Sequence, residues 1–206
     1  HLILFAFMVI VAILLYKYRR KIKENKKIYK YVRFIFIFLL AFQQISFLYF
    51  ICFVRKDTIN EALPLYTCRI SIYSGFFALI FNSNNLKILT IFWGLIGGII
   101  GLIFPDLMLY SWPHIMYVNF FLTHFLVFWV SLFFLIVDKI KIKKENLKFL
   151  FIFVNVFLLI TEIINLKFNL NYAYLSYSPV FTNLLNKLPA IIYFLLAGIL
   201  YNFFIF

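Results

Sequence analysis

A thiol and an imidazole in two different apolar segments are the side chains best suited to chemistry in this 206-residue chain. Cys68 lies near the start of one apolar run, and His124 lies within another. A cysteine attacks carbonyl carbon as the thiolate, and a neighbouring histidine can take the thiol proton. If the fold brings them together, the two residues predict covalent catalysis, with Cys68 as nucleophile and His124 as general base.

Both residues also have a plainer interpretation. A buried cysteine is usually an inert small hydrophobic residue, and a lone histidine among apolar helices is often a hydrogen-bonded packing residue. Arg69 directly follows Cys68 and is a candidate to activate the thiol, bind a lipid phosphate or steady an oxyanion. Adjacent helical residues point about 100° apart, so Arg69 need not face the same space as Cys68.

The composition decides which elements position these residues. Hydrophobic residues make up 66% of the chain, aromatic residues 23% and charged residues 13%. A soluble domain carries about 25% charged residues and about 45–50% apolar ones. The composition therefore excludes a soluble domain and predicts an all-α, polytopic transmembrane helical bundle. The net charge of +13 comes from basic clusters between apolar runs, which indicates contact with an anionic membrane surface and no nucleic acid.

Seven apolar segments approach the roughly 20 residues that a membrane-spanning helix needs. Charges, prolines and Asn/Ser clusters separate them. The segments cover residues 2–16, 31–54, 63–81, 86–104, 115–137, 147–166 and 188–206. The sequence therefore predicts about seven helices in a single transmembrane domain, residues 1–206. The first segment is followed by a basic stretch and by no cleavage-site pattern. Both features favour a membrane helix over a signal peptide for this segment.

The basic residues predict the orientation of these helices. Of the 20 lysines and arginines, 15 lie in or at the borders of the loops after the first, third and fifth segments, at residues 17–33, 87 and 139–148. Another 4 lie in the loops after the second, fourth and sixth segments, and Arg69 lies inside the third segment. Because positive loops stay in the cytoplasm, the N-terminus is predicted outside the cell membrane and the C-terminus inside. Cys68 and His124 then belong to the outer half of the bilayer.

Polar side chains within or beside the apolar segments are candidates for substrate binding, because each is costly there unless it is paired. Glu162 is the predicted counter-ion of Arg69, as a functional or a purely structural ion pair. Asparagines such as Asn155 have the alternative of tying helices together. No H-E-x-x-H or similar spacing occurs, so no metal or cofactor is predicted. The substrate-binding candidates are Arg69, Asp106, His114, Asn119, Glu162, Asn165, Asn171 and Tyr172.

Four glycines lie in the fourth apolar segment, at positions 94, 97, 98 and 101. They form two overlapping small-xxx-small pairs, which are typical of closely packed membrane helices. No Lys-Ser/Thr follows them, which excludes a phosphate-binding P-loop. The glycines therefore predict that another helix approaches this segment closely.

Four motifs carry a resemblance to a known family. The run LPLYTCRIS (Leu63–Ser71) resembles the Leu-Pro-Leu-His-x-Cys signature of the YwaF-type bacterial membrane proteins. FWGLIGGIIGLIFPDL, WPHIMYVNFFLTHFLVF and NLNYAYLSYSP follow in the same order, so the resemblance covers about residues 60–206. This sequence departs from the family pattern at two positions. Tyr66 replaces the histidine of the signature, and Arg69 follows the cysteine, where a small or polar neutral residue is expected.

The resemblance implies an activity. The YwaF-type family is similar to a vertebrate multi-pass acyltransferase of ether phospholipids, which relies on a cysteine and a histidine that correspond here to Cys68 and His124. It is more distantly similar to androgen-induced hydrolases of fatty-acid esters, which use a threonine and a histidine. The resemblance thus implies a membrane acyltransferase whose partners are phospholipids and lysophospholipids. The alternatives are a lipid ester hydrolase on the same site, a substrate-binding or transport component, and a scaffold without chemistry.

Overall fold

The computed structural model describes residues 2–57, 60, 62–105, 107, 110–203 and 205, which divide between two compact units, His1–Lys141 and Ile142–Phe206. The first unit contains the helices α1 (Leu2–Glu24), α2 (Lys26–Tyr49), α3 (Thr67–Phe81), α4 (Asn84–Ile103) and α5 (Ile115–Leu132). π-Helical turns, Phe50–Arg55 and Phe133–Val137, continue α2 and α5. The second unit contains α6 (Lys144–Phe168), a 3-10 turn (Tyr172–Tyr174), α7 (Thr182–Leu185) and α8 (Ala190–Phe203).

None of the described residues forms a strand, and the all-α prediction is confirmed. Five of the described helices are long and apolar enough to cross a membrane, namely Leu2–Glu24, Lys26–Arg55, Asn84–Ile103, Ile115–Val137 and Lys144–Phe168. α3 and α8 occupy the other two predicted segments but have only 15 and 14 residues. At 1.5 Å per residue, α3 rises about 22 Å, which is less than the bilayer core of about 30 Å. The division into one domain stays a prediction.

The third helix begins four residues later than the apolar run predicts. Tyr66 is extended, with φ −92° and ψ 140°, and acts as the N-cap of α3. Pro64 disfavours the helical conformation at Leu63, the residue before it, and the extended backbone of Tyr66 sets the start of the helix at Thr67. Cys68 is consequently the second residue of α3, at the N-terminal end of the helix.

The prediction that the first basic stretch, residues 17–33, forms a loop is wrong, because almost all of it is helical. Residues 17–24 extend α1, and residues 26–33 form the first turns of α2. Asn25 alone breaks the helices, and its side-chain oxygen accepts hydrogen bonds from Lys27 N at 3.0 Å and Ile28 N at 3.1 Å. Lysine and arginine are good helix formers, so hydropathy marked the end of the apolar segment and missed the end of the helix.

α5 is the central helix of the first unit and packs against each of α1 to α4. Its fully buried face and the π-helical turn after it form the middle of the core, with Leu126, Val127, Val130, Phe133 and Phe134. α2 lies at the outside of the unit, where its exposed apolar residues recur every three or four positions. This exposed stripe, typical of a lipid-facing surface, comprises Tyr31, Phe34, Phe38, Phe42, Ile45 and Tyr49.

Close approach of α4 and α5 depends on two of the glycines. A Cβ atom at Gly94 would lie 2.7 Å from Val127 O, and one at Gly98 would lie 2.8 Å from Phe128 Cβ. Both distances are too short for any larger residue. The small-residue pattern therefore does mark tight helix packing, as predicted.

In the second unit, polar side chains join α6, α8 and the intervening loop. Asn155 and Asn202 exchange amide hydrogen bonds of 2.9 and 3.2 Å between α6 and α8. Tyr193 and Tyr201 of α8 donate their hydroxyls to loop carbonyl oxygens of Tyr174 at 2.8 Å and Ala173 at 3.0 Å. Asn155 thus ties two helices together, which is the structural role weighed for it from the sequence.

Candidate active site

The structure brings Cys68 and His124 into direct contact. Cys68 Sγ lies 3.6 Å from His124 Nε2, within the range of a hydrogen bond to sulfur. The cysteine comes from the start of α3, and the histidine lies nine residues into α5. His124 is only 7% exposed, whereas Cys68 is half-buried. The imidazole is thus more completely shielded from solvent than the thiol is.

A second hydrogen bond fixes the state of the imidazole. His124 Nδ1 lies 2.7 Å from Phe120 O, one turn earlier on α5. A carbonyl oxygen only accepts hydrogen bonds, so Nδ1 carries the ring proton of the neutral imidazole. Nε2 then presents its lone pair to Cys68 Sγ. This is the tautomer that a general base for the thiol requires.

Two glycines of α4 leave the space that this contact occupies. A Cβ atom at Gly97 would lie 3.0 Å from Cys68 Sγ. A Cβ atom at Gly101, one turn further along α4, would overlap the His124 ring. The Cys–His contact therefore needs a third helix without side chains at both positions.

Gly101→Ala is expected to lower the reactivity of Cys68 at least about tenfold, because the added methyl group displaces the His124 ring and breaks its bond to Phe120. A misplacement of about 1 Å at a catalytic group can cost about 10²-fold in rate. The rate of Cys68 alkylation by a membrane-permeant maleimide measures the effect.

The matched control for that substitution is Gly198→Ala on α8, where a Cβ atom would meet nothing within 4 Å. It should leave alkylation unchanged. An unchanged rate in Gly101→Ala would mean that the observed ring position does not determine the reactivity of the thiol.

Hydrogen bonds from α2 hold the His124-bearing helix in position. Gln43 Nε2 donates to Thr123 Oγ1 at 2.6 Å, and Ser46 Oγ donates to Asn119 Oδ1 at 3.1 Å. Thr123 precedes His124 directly. These contacts with α2 therefore limit both the rotation of α5 about its axis and its displacement along that axis, and so help to position His124 beside the thiol.

Several polar atoms in this part of the first unit are buried without a hydrogen-bond partner among the described residues. They include Ser71 Oγ, Asn119 Nδ2, Gln43 Oε1 and Gln44 Nε2. Ser71 lies three residues after Cys68 and so on the same side of α3. A buried polar atom without a partner costs about 1–3 kcal/mol, so these atoms are suited to bind a polar ligand or water.

The predicted substrate-binding residues of the first unit have structural contacts. The Arg69 guanidinium lies 4.0 Å from the Phe47 ring centroid, and its Nη1 donates to Leu63 O at 3.2 Å. His114 caps α5 by accepting a hydrogen bond from Met116 N at 3.1 Å. Arg69 thus anchors the chain before α3, and its role with a substrate stays a prediction.

The second unit holds four of the predicted binding residues. Asn165 exchanges hydrogen bonds with the backbone of Tyr172, at 2.8 and 3.0 Å, and donates to Glu162 Oε2 at 3.4 Å. Asn171 Oδ1 accepts from the backbone N–H of Ser176 at 3.0 Å. These contacts organise the loop after α6, and substrate binding by these residues stays a prediction. Asp106 lies outside the described residues.

Sequence reasoning missed the hydroxyl groups around the site. Ser46, Ser71 and Thr123 lie in apolar segments, where single hydroxyls are common because they can donate to a carbonyl oxygen one turn earlier on the helix. Their spacing from Cys68 and His124 gave the available signal, since Ser71 lies one turn from the thiol and Thr123 adjoins the imidazole. Among the described residues, no group of three or more His, Cys, Asp or Glu side chains is placed to hold a metal ion.

Comparison with known proteins identifies a family for the whole chain. The family model described as the TMEM164 family matches residues 1–206. No curated protein and no solved structure gives a significant match.

Proposed function

We propose that this chain, which belongs to the TMEM164 family of membrane proteins, moves fatty acyl groups between membrane lipids through a thioester on Cys68. The observation that carries the proposal is the 3.6 Å contact between Cys68 Sγ and His124 Nε2, in a protein with five described helices long and apolar enough to cross a membrane. A thiol beside an unprotonated imidazole nitrogen is suited to nucleophilic attack on an ester.

The first half of the reaction transfers an acyl chain to the enzyme. His124 Nε2 takes the thiol proton while Cys68 Sγ attacks the ester carbonyl carbon of a phospholipid. The carbon–oxygen bond of the ester then breaks. The departing alkoxide takes the proton from His124 and leaves as a lysophospholipid, and the acyl group remains on Cys68 as a thioester.

The second half reverses these steps with another lipid. The hydroxyl of an acceptor lysolipid gives its proton to His124 Nε2, and its oxygen attacks the thioester carbonyl. The carbon–sulfur bond breaks, and the thiolate of Cys68 recovers the proton from His124. If water is the acceptor, the same site is a lipid ester hydrolase. Both outcomes use protons and acyl groups alone, so no redox partner is needed.

Asn119 is a candidate donor to the oxyanion. The residue is 3% exposed, its Oδ1 accepts a hydrogen bond from Ser46 Oγ, and its Nδ2 has no partner among the described residues. The Ser46 contact orients the amide so that Nδ2 remains available. A preorganised donor of this kind stabilises the negative charge of a tetrahedral intermediate.

Asn119→Leu is expected to lower the rate of acyl transfer about 10²–10³-fold, the typical cost of losing one oxyanion donor. Ser46→Ala is the comparison variant, because it removes the orienting hydrogen bond and keeps the Nδ2 donor. It should have a smaller effect. Initial rates with a fluorescent phospholipid measure both, and equal small losses in the two variants would remove Asn119 from the mechanism.

An apolar recess supports a lipid substrate. It has a volume of about 340 Å³, and it is lined by Phe42, Ile45, Ser46, Tyr49, Phe50 and Ile115. The recess lies between α2 and the start of α5, and its serine is the residue that contacts Asn119. An acyl chain held there would enter sideways from the lipid-facing stripe of α2.

Lipid mass spectrometry tests the proposed function and separates it from the alternatives. The purified protein is incubated with a diacyl phospholipid and an isotope-labelled lysophospholipid, and Cys68→Ala serves as the inactive comparison. Labelled diacyl lipid formed only by the wild type is the expected result. Free fatty acid with lysolipid would instead indicate a hydrolase. No product from several lipid classes would contradict both enzyme hypotheses and favour a transport or scaffold role.

A further inference from the structure

A basic cavity lies at the end of the first unit away from Cys68 and His124. It has a volume of about 510 Å³ and is lined by Lys23, Lys26, Tyr29, Lys30, Arg33, Asn82, Lys87 and Asp138. Lys87 and Gly101 lie fourteen residues apart on α4, so about 21 Å of helix separates this cavity from the His124 ring. The reaction proposed above makes no use of these residues.

The floor of the cavity is a buried ion pair with fixed geometry. Lys87 is 4% exposed, and its Nζ lies 2.5 Å from Asp138 Oδ2 and 2.7 Å from Asn82 Oδ1. Tyr29 OH donates to the other carboxylate oxygen of Asp138 at 2.9 Å. The one carboxylate among the lining residues is therefore already bound on both oxygens.

The walls of the cavity carry the remaining positive charge. Lys26 and Lys30 are exposed on the first turns of α2, and Lys23 donates to the backbone oxygen of Asp138 at 3.1 Å. Arg33 donates to Ile80 O at 3.1 Å, which holds its guanidinium at the edge of the cavity. With Lys87, five cationic side chains line the cavity together with one carboxylate. Lys87 neutralises that carboxylate, so the cavity keeps a net positive charge.

We propose that the basic cavity binds the phosphate group of an anionic ligand, namely the headgroup of an anionic lipid or free inorganic phosphate. Lysine ammonium and arginine guanidinium groups form charge-assisted hydrogen bonds to phosphate oxygens. The C-terminal end of α1 and the N-terminal end of α2 line the cavity and are both basic. Under the predicted orientation, these ends adjoin the cytoplasmic leaflet. A lipid headgroup would therefore reach the cavity from the leaflet opposite the Cys–His site.

Titration calorimetry in neutral detergent tests the proposal with three ligands. Dioctanoyl phosphatidylglycerol carries the phosphate on a lipid, inorganic phosphate carries it alone, and dioctanoylglycerol has the same chains without it. The wild type is expected to bind the phospholipid more tightly than dioctanoylglycerol, and to lose that difference at high salt because the phosphate contacts are electrostatic. Equal binding of inorganic phosphate would support the phosphate site with the free anion as ligand.

Two triple variants with the same charge change locate the binding. Lys26→Gln/Lys30→Gln/Arg33→Gln removes cavity residues, whereas Lys17→Gln/Arg20→Gln/Lys21→Gln removes exposed residues of α1 outside the cavity. The cavity triple should weaken binding about tenfold or more, and the α1 triple should leave it within about twofold. If the cavity triple is unstable, Lys26→Gln/Lys30→Gln keeps the Arg33 contact and serves instead. Equal weakening in both sets, or phospholipid binding no tighter than that of dioctanoylglycerol, would overturn the proposal.

Discussion

Replacing His124 with alanine is expected to slow acyl transfer about 10²–10⁴-fold, the range that a positioned general base contributes. The same substitution should slow alkylation of Cys68, because Nε2 at 3.6 Å no longer accepts the thiol proton. Maleimide labelling followed by peptide mass spectrometry measures the thiol reaction, and the labelled-lipid assay measures transfer.

Cys52 supplies an internal control for that experiment. It is the other cysteine of the chain, is free and half-buried, and lies in the π-helical turn after α2. Its labelling rate should be the same in the wild type and in His124→Ala. A parallel decrease at both cysteines would indicate a general change in access, and an unchanged rate at Cys68 would contradict the role of His124 as its base.

Removing one partner of the Lys87–Asp138 pair is expected to destabilise the protein by about 3–5 kcal/mol, because the remaining buried charge loses its counter-ion. The two side chains are only 5% and 7% exposed. Lys87→Met leaves Asp138 with the Tyr29 hydroxyl as its side-chain donor. Unfolding in sodium dodecyl sulfate mixed micelles, followed by circular dichroism, gives the change in free energy.

Two comparisons make this prediction specific. Lys87→Met/Asp138→Leu removes both charges and should recover most of the loss, since a hydrophobic pair of similar volume often replaces a buried ion pair without cost. Arg55→Met breaks the more exposed pair with Asp57, whose side chains are 35% and 22% exposed, and should cost no more than about 1 kcal/mol. Equal costs for Lys87→Met and Arg55→Met would show that the buried pair contributes nothing beyond a surface contact.

Hydropathy predicted the helices well because a long apolar run leaves little choice of structure in a membrane. The fifth segment, predicted at 115–137, matches Ile115–Val137 at both ends. Hydropathy failed where a helix continues past the apolar region, as α1 does through Lys23, or where the apolar run begins before the helix does, as it does before Thr67 of α3. The first charged residue marks the end of the apolar region, but the helix itself ends only where a residue such as Asn25 leaves the helical conformation.

The proximity of Cys68 and His124 followed from family motifs and not from spacing. Fifty-six residues separate the two along the chain, and no periodicity connects residues on different helices. The glycines of α4 indicated a close neighbour without indicating which one. Only the packed structure shows that Gly97 faces the thiol and Gly101 faces the imidazole.

The most direct test of the account is peptide mass spectrometry of the protein after acid quenching of a reaction with a diacyl phospholipid. A fatty acyl group is expected on the Cys68 peptide and none on the Cys52 peptide, and neutral hydroxylamine should release the group, as a thioester requires. The adduct should be absent in His124→Ala. An unmodified Cys68 in a sample that is actively transferring acyl chains would contradict the thioester mechanism.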